Sequence, residues 1–108
     1  MNGKMYTAVF DSKALEWVKE REYNLAYLTV QERSFNDLLE IRGYVFLNEV
    51  LKALGLTMIA EGQTYGWRYD PDDNTIENCV DFGIYETEPN IFELHFETDG
   101  EIYKQITY

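Results

Sequence analysis

His95 is the single histidine of the chain and Cys79 the single cysteine. Asp81 or Glu93 can orient His95 as a general base, because a carboxylate on one ring nitrogen fixes the tautomer and raises the basicity of the other. The spacing puts no Ser or Cys nucleophile beside it. Nothing in the acidic stretch around Cys79 lowers a thiol pKa. One histidine and one cysteine are too few for a zinc site. A surface histidine among charges accounts for the same residues without catalysis. The stretch TYGWRYDPDDN, residues 64–74, suggests a second chemistry. Asp70, Asp72 and Asn74 stand at positions 1, 3 and 5 of an EF-hand-like calcium loop, with Asp81 at position 12. Thr75 replaces the turn glycine, Asp81 replaces the bidentate Glu, and the flanks read as strands. A solvated type I turn, with Asp first and Pro second, explains these acids better. The reading is a chain without a cofactor.

The charge is more informative. Net charge is −11, yet residues 1–60 carry eight acids against seven bases. Residues 61–101 carry twelve acids against Arg68 alone. Such a field repels phosphate backbones and anionic membranes, so direct nucleic-acid and membrane binding are not expected. A basic protein, or a protein that itself binds DNA, is the expected partner class; a merely solubilising surface is the plain alternative. Phosphate loops and basic patches with interleaved aromatics do not occur. Hydrophobic content of 45% and seventeen aromatics argue for a folded core. Apolar runs reach only four residues, too short to span a membrane. The start, MNGKMYTAVFDS, lacks the apolar stretch of a secretory signal. One cysteine leaves no disulfide framework. The expected location is the cytoplasm.

The elements that must position these groups fall in two halves of one domain, 1–108. Residues 1–56 read as mainly helical, after a short strand or a loosely held terminus at 5–10. Asp11 or Ser12 caps a predicted helix through about Arg21, with Leu15 and Val18 on its apolar side. Residues 23–32 fit either a strand apolar on both faces or, as preferred, a helix with Tyr23, Ala26, Tyr27 and Val30 on one stripe. Ser34 to Asp37 has capping-box spacing. Leu39, Phe46, Leu47, Val50 and Leu54 make a further stripe over 35–54, with Gly43 at a kink or close crossing. Gly55 is a natural C′ residue, and Leu56 can fold back on the last turn.

From Thr64 the period becomes two. Tyr65, Trp67 and Tyr69 alternate with polar residues, as do Val80, Phe82 and Ile84, then Phe92, Leu94 and Phe96. Asp99-Gly100 reads as a hairpin into a last strand at 102–107. The predicted fold is α+β, with N-terminal helices packed on one face of a C-terminal, roughly four-stranded antiparallel meander over 64–108. The aromatic stripe then belongs to the core. The opposite face carries Arg68, Asp81, Tyr85, Glu93, His95 and Glu97, with Gly66 and Gly83 either as bare spots open to a partner or as residues that ease a twist or bulge. That acidic face is the predicted binding surface.

RGYVFLNEVLKALGL at 42–56, EGQTYGWRYD at 61–70, DFGIYE at 81–86 and FELHFETDGEIY at 92–103 carry a resemblance. Gly62, Gly66 and Trp67 in Gly-x-x-x-Gly-Trp spacing, and Asp81-Phe82-Gly83, are its most specific parts. Together they resemble an uncharacterised domain that recurs in proteins of Gram-positive prophages and integrative conjugative elements. Thr57-Met58 departs from its pattern of proline and a basic residue. The resemblance carries no activity over. It implies a setting: an accessory protein of a mobile element. The expected function is therefore a non-catalytic protein-binding module, acting through the acidic face as a DNA mimic or inhibitor in its strongest form. The alternative is a small enzyme or calcium-binding domain using His95 with Asp81, or the Asp70–Asn74 turn.

Overall fold

The computed structural model describes residues 3–106. Strand β1, Lys4–Phe10, opens the chain. A 22-residue helix, α1, spans Arg21–Arg42. Strand β2 (Tyr44–Phe46) runs directly into helix α2 (Leu47–Ala53). A single 3₁₀ turn, Ala60–Gln63, leads to β3, Gly66–Arg68. A hairpin of β4 (Tyr85–Glu88) and β5 (Ile91–Thr98) follows, then a last helical turn, α3, at Tyr103–Ile106. The class is α+β, with two antiparallel sheets: one of order β1-β5-β4, the other β2-β3.

The four-stranded meander is a correction. β5 is central, flanked by β1 from the other end of the chain and by β4. Both its edges are thus filled, so Asp99-Gly100 cannot turn a strand back along it. Gly100 adopts φ 90°. The chain crosses instead to residues 64–66, where the Asp99 N–H bonds Gly66 O and the Ile102 N–H bonds Thr64 O. The expected strand at 102–107 becomes α3, and Thr107 lies outside the described residues. Within the first 56 residues β1 forms where the sequence admits a strand, and the short β2 interrupts the stripe expected over 35–54.

The helix predicted from Asp11 to Arg21 is also corrected. Asp11 does cap a turn, its Oδ1 accepting the Lys13 N–H. The turn does not propagate, because neighbouring segments claim its backbone. The Leu15 N–H bonds Gly55 O, and the buried Asn24 takes both Val18 backbone groups. Leu15, expected on an apolar face, is 86% exposed. Residues 23–32, open between strand and helix in the sequence, are helical, but on a different stripe from the one expected. Asn24, Leu28, Phe35 and Leu39 face inward, while Tyr23 and Val30 face solvent. The helix runs through Ser34 and stops at Gly43, whose φ of 94° makes it a left-handed cap bonding Leu39 O. Gly55 ends α2 as predicted. Its N–H bonds Lys52 O and the Leu56 N–H bonds Leu51 O, a Schellman closure.

Asparagines fix the irregular segments. Asn24, Asn36 and Asn48 lie within the helices, and each engages a loop residue's N–H and C=O together. Asn24 holds Val18, Asn36 holds Val80, and Asn48 holds Ile59, at 2.6–3.0 Å. Each side-chain amide does for its loop what a strand neighbour does for a strand, and at the buried Val80 it satisfies backbone groups that burial would leave unpaired. The core then closes between helices and sheets. Leu28, Leu39, Leu47, Val50 and Leu54 pack with Trp67, Phe82, Phe92, Leu94 and Phe96.

Candidate functional site

Alternation along β5 builds the outer face of the larger sheet. Phe92, Leu94, Phe96 and Thr98 are buried, so Glu93, His95 and Glu97 point the other way. Tyr85 of β4 pairs across from Glu93. Its ring meets the His95 ring edge-on, with centroids 5.0 Å apart. His95 Nε2 lies 2.7 Å from Glu93 Oε1. Of the two carboxylates able to orient the histidine, Glu93 is the one that does so. Tyr85, Glu93 and His95 thus form one cluster, with Glu97 next along the strand.

Asp81 stands at the rim of this face. The segment before β4 is not the regular strand the sequence predicts, although Val80 and Phe82 are buried alternately as expected. The His95 N–H still bonds Phe82 O and Gly83 O, so the segment lies along β5. Gly83 breaks the ladder, with φ 55° and the His95 backbone against its Cα. Asp81 Oδ1 supports this turn by accepting the Gly83 N–H at 2.8 Å. Gly83 is therefore no bare spot for a partner. Gly66 is not one either, for the Val45–Phe46 backbone of β2 fills the place of a Cβ.

Arg68 is separate from the His95 cluster, which is a further correction. It belongs to β3 and turns its guanidinium to the acidic turn, with Nη2 on Asp73 Oδ2 at 2.5 Å and Nη1 4.0 Å from Asp70. The Arg68 N–H bonds Asp99 Oδ2. Arg68, Glu77, Asp99 and Glu97 line a hollow of about 510 Å³, so Glu97 links the two groups. The Thr75 hydroxyl and N–H, with Arg68, hold the Asp73 carboxyl down to about 2. Burial pushes Asp99 above the usual carboxylate range, against the pull of its bond from Arg68 N–H and the guanidinium nearby.

The turn at 70–73 forms as read: the Asp73 N–H bonds Asp70 O, and Asp70 Oδ1 accepts the Asp72 N–H. Asp72 and Asn74 are exposed. Among the described residues no three His, Cys, Asp or Glu side chains converge as metal ligands. Burial first, then the surrounding acids, push the Cys79 thiol up. The aromatic stripe divides. Trp67 is buried and donates its indole N–H to Glu97 O; Tyr69 packs against the core; Tyr65 stands edge-on to Tyr6. Sequence reasoning missed Asp73 and Asp99 as the partners of Arg68. The signal was Arg68 itself, the single base in an acidic stretch.

Among the described residues no helix is long and apolar enough to cross a membrane. No curated protein and no solved structure matches the chain. A family model does, over residues 1–106, which takes in both sheets, α1 and α2. The chain belongs to this family, described as a family of unknown function (DUF6353).

Proposed function

We propose that the chain is a non-catalytic binding module that engages a basic or DNA-binding protein through its acidic surface. One observation carries the reading: residues 61–101 hold twelve acids, and their one base, Arg68, is spent on Asp73. Lys4 and Arg21 reach in to pair with Glu61 and Glu86, and the stretch still keeps an excess of negative charge. Glu97 and Asp81 make no ion pair among the described residues, and both are exposed. Carboxylates held on a sheet attract cationic side chains over about a Debye length, roughly 8 Å at physiological salt. In its strongest form the surface imitates a phosphate backbone and blocks a DNA-binding enzyme. The mobile-element setting in a bacterial cytoplasm, implied by the resemblance, belongs to the same proposal.

The test is comparative capture from a bacterial lysate, with wild type and an Asp81→Asn/Glu93→Lys/Glu97→Lys variant side by side. Asn at 81 keeps the acceptor that Gly83 uses. A basic protein held by wild type and released by the variant supports the proposal. A captured set identical for both sinks it.

A further inference from the structure

β1 is an edge strand, and its free side can be identified. In an antiparallel pair, opposed residues alternate between exchanging backbone bonds and pointing them outward. His95 pairs with Thr7, yet its N–H goes to Phe82 O on the far side of β5. The Thr7 pair is therefore an outward one, as are Met5 with Glu97 and Val9 with Glu93. The N–H and C=O groups of Met5, Thr7 and Val9 face away from β5, and among the described residues nothing bonds them. Beside this edge lies a hollow of about 410 Å³ lined by Tyr6, Ala8, Leu51, Leu56 and Ile59. Met5 and Val9 expose 51% and 45% of their surface.

A strand of this length, with open donors and acceptors and apolar side chains, is a template for another strand. The charge selects which one. Residues 1–20 carry three acids and three bases, so the edge is neutral on a chain of net −11. Here a second copy meets a seam of N–H and C=O groups rather than carboxylates, with Glu93 and Glu97 one strand further in, opposite Val9 and Met5. We propose that β1 pairs with β1 of a second copy, antiparallel about a two-fold axis at Thr7, giving one continuous six-stranded sheet. In this register Met5 lies opposite Val9 of the second copy, and Val9 opposite its Met5. The two exposed apolar residues of the edge thus cover each other. All three outward residues exchange bonds.

The experiment is sedimentation equilibrium on the full chain, with register read by cysteine cross-linking in a Cys79→Ser background. The expected mass is twice 12.8 kDa at high concentration. Thr7→Cys should oxidise to a covalent dimer, because residues opposed in a bonded antiparallel pair lie about 5.5 Å apart at Cα, within disulfide reach. Val9→Cys should not, since the two copies of residue 9 stand about 14 Å apart at the rise of a strand. Thr7→Pro removes the central donor without touching the bonds to β5 and should weaken the dimer at least tenfold; Val9→Lys, at an exposed site, should do the same. A monomer at every soluble concentration overturns the proposal, as does equal cross-linking by both cysteines or an edge that takes only extended peptides. Such a failure leaves the acidic-surface reading untouched, because that reading rests on carboxylates of β5 and of the segment before β4, not on the open backbone groups of β1.

Discussion

At Gly83 two constraints meet: a left-handed φ of 55° and the His95 carbonyl 2.7 Å from where a Cβ would stand. Gly83→Ala should therefore destabilise the fold by about 3 kcal/mol, combining the conformational penalty with overpacking. Urea unfolding measures this, and an unchanged midpoint would contradict it. Asp73 gives a pH signature. Its carboxyl is held at about 2 by Thr75 and Arg68, below the ordinary 3.8. A depressed carboxylate stabilises the fold above its unfolded pKa, and that contribution is lost as pH falls through the folded value. Wild type should therefore be more stable than Asp73→Asn at neutral pH, and their stabilities should converge between about pH 4 and 2. A gap that stays constant across this range would refute the assignment. Asp99 has the opposite sign. Burial raises its pKa, so its charge opposes folding near neutral pH, while its Oδ2 still serves the Arg68 N–H. Asp99→Asn keeps an acceptor and removes the charge.

Among the elements, the asparagine bridges matter most. Asn36 on α1 bonds both backbone groups of the buried Val80. Asn36→Ala should cost about 2 kcal/mol, since it leaves a donor and an acceptor without partners. It should also raise amide exchange at Val80 and Phe82 before the rest of the core. Uniform exchange rates would contradict this local role. These bridges also explain what was legible in the sequence. Alternation at Phe92, Leu94 and Phe96 located β5, and Gly55 located the end of α2, because both signals are local. Residues 11–20 look locally like a capped helix, but Asn24 and Gly55 bind them in another shape. The pairing of β1 with β5 joins residues about ninety positions apart, and no local pattern encodes it. The signal that was present is Asn24, Asn36 and Asn48 inside helices, where asparagine is a poor helix former and needs another reason to stand.

Over the whole molecule, charge is uneven along the chain, while topology brings its acidic half against β1. The neutral β1 edge lies on one flank of the larger sheet. Of the acidic residues of 61–101, Glu93 and Glu97 lie on the outer face of β5 and Asp70, Asp72 and Asp73 in the turn beside Arg68, while Glu61 pairs with Lys4 of β1 and Glu86 with Arg21 of α1. The sequence reading found the charge asymmetry and most of the face: Tyr85, Glu93, His95 and Glu97 lie where alternation puts them. It misplaced Arg68, because the short β3 pairs with β2 and not with the larger sheet. The measurement that tests the central claim most directly is the Kd of the captured partner, titrated against sodium chloride for wild type and for the Asp81→Asn/Glu93→Lys/Glu97→Lys variant. The account predicts wild-type binding that weakens steeply with salt and a variant that binds at least tenfold more weakly at low salt. Equal affinity for the two proteins, with little dependence on salt, would contradict it.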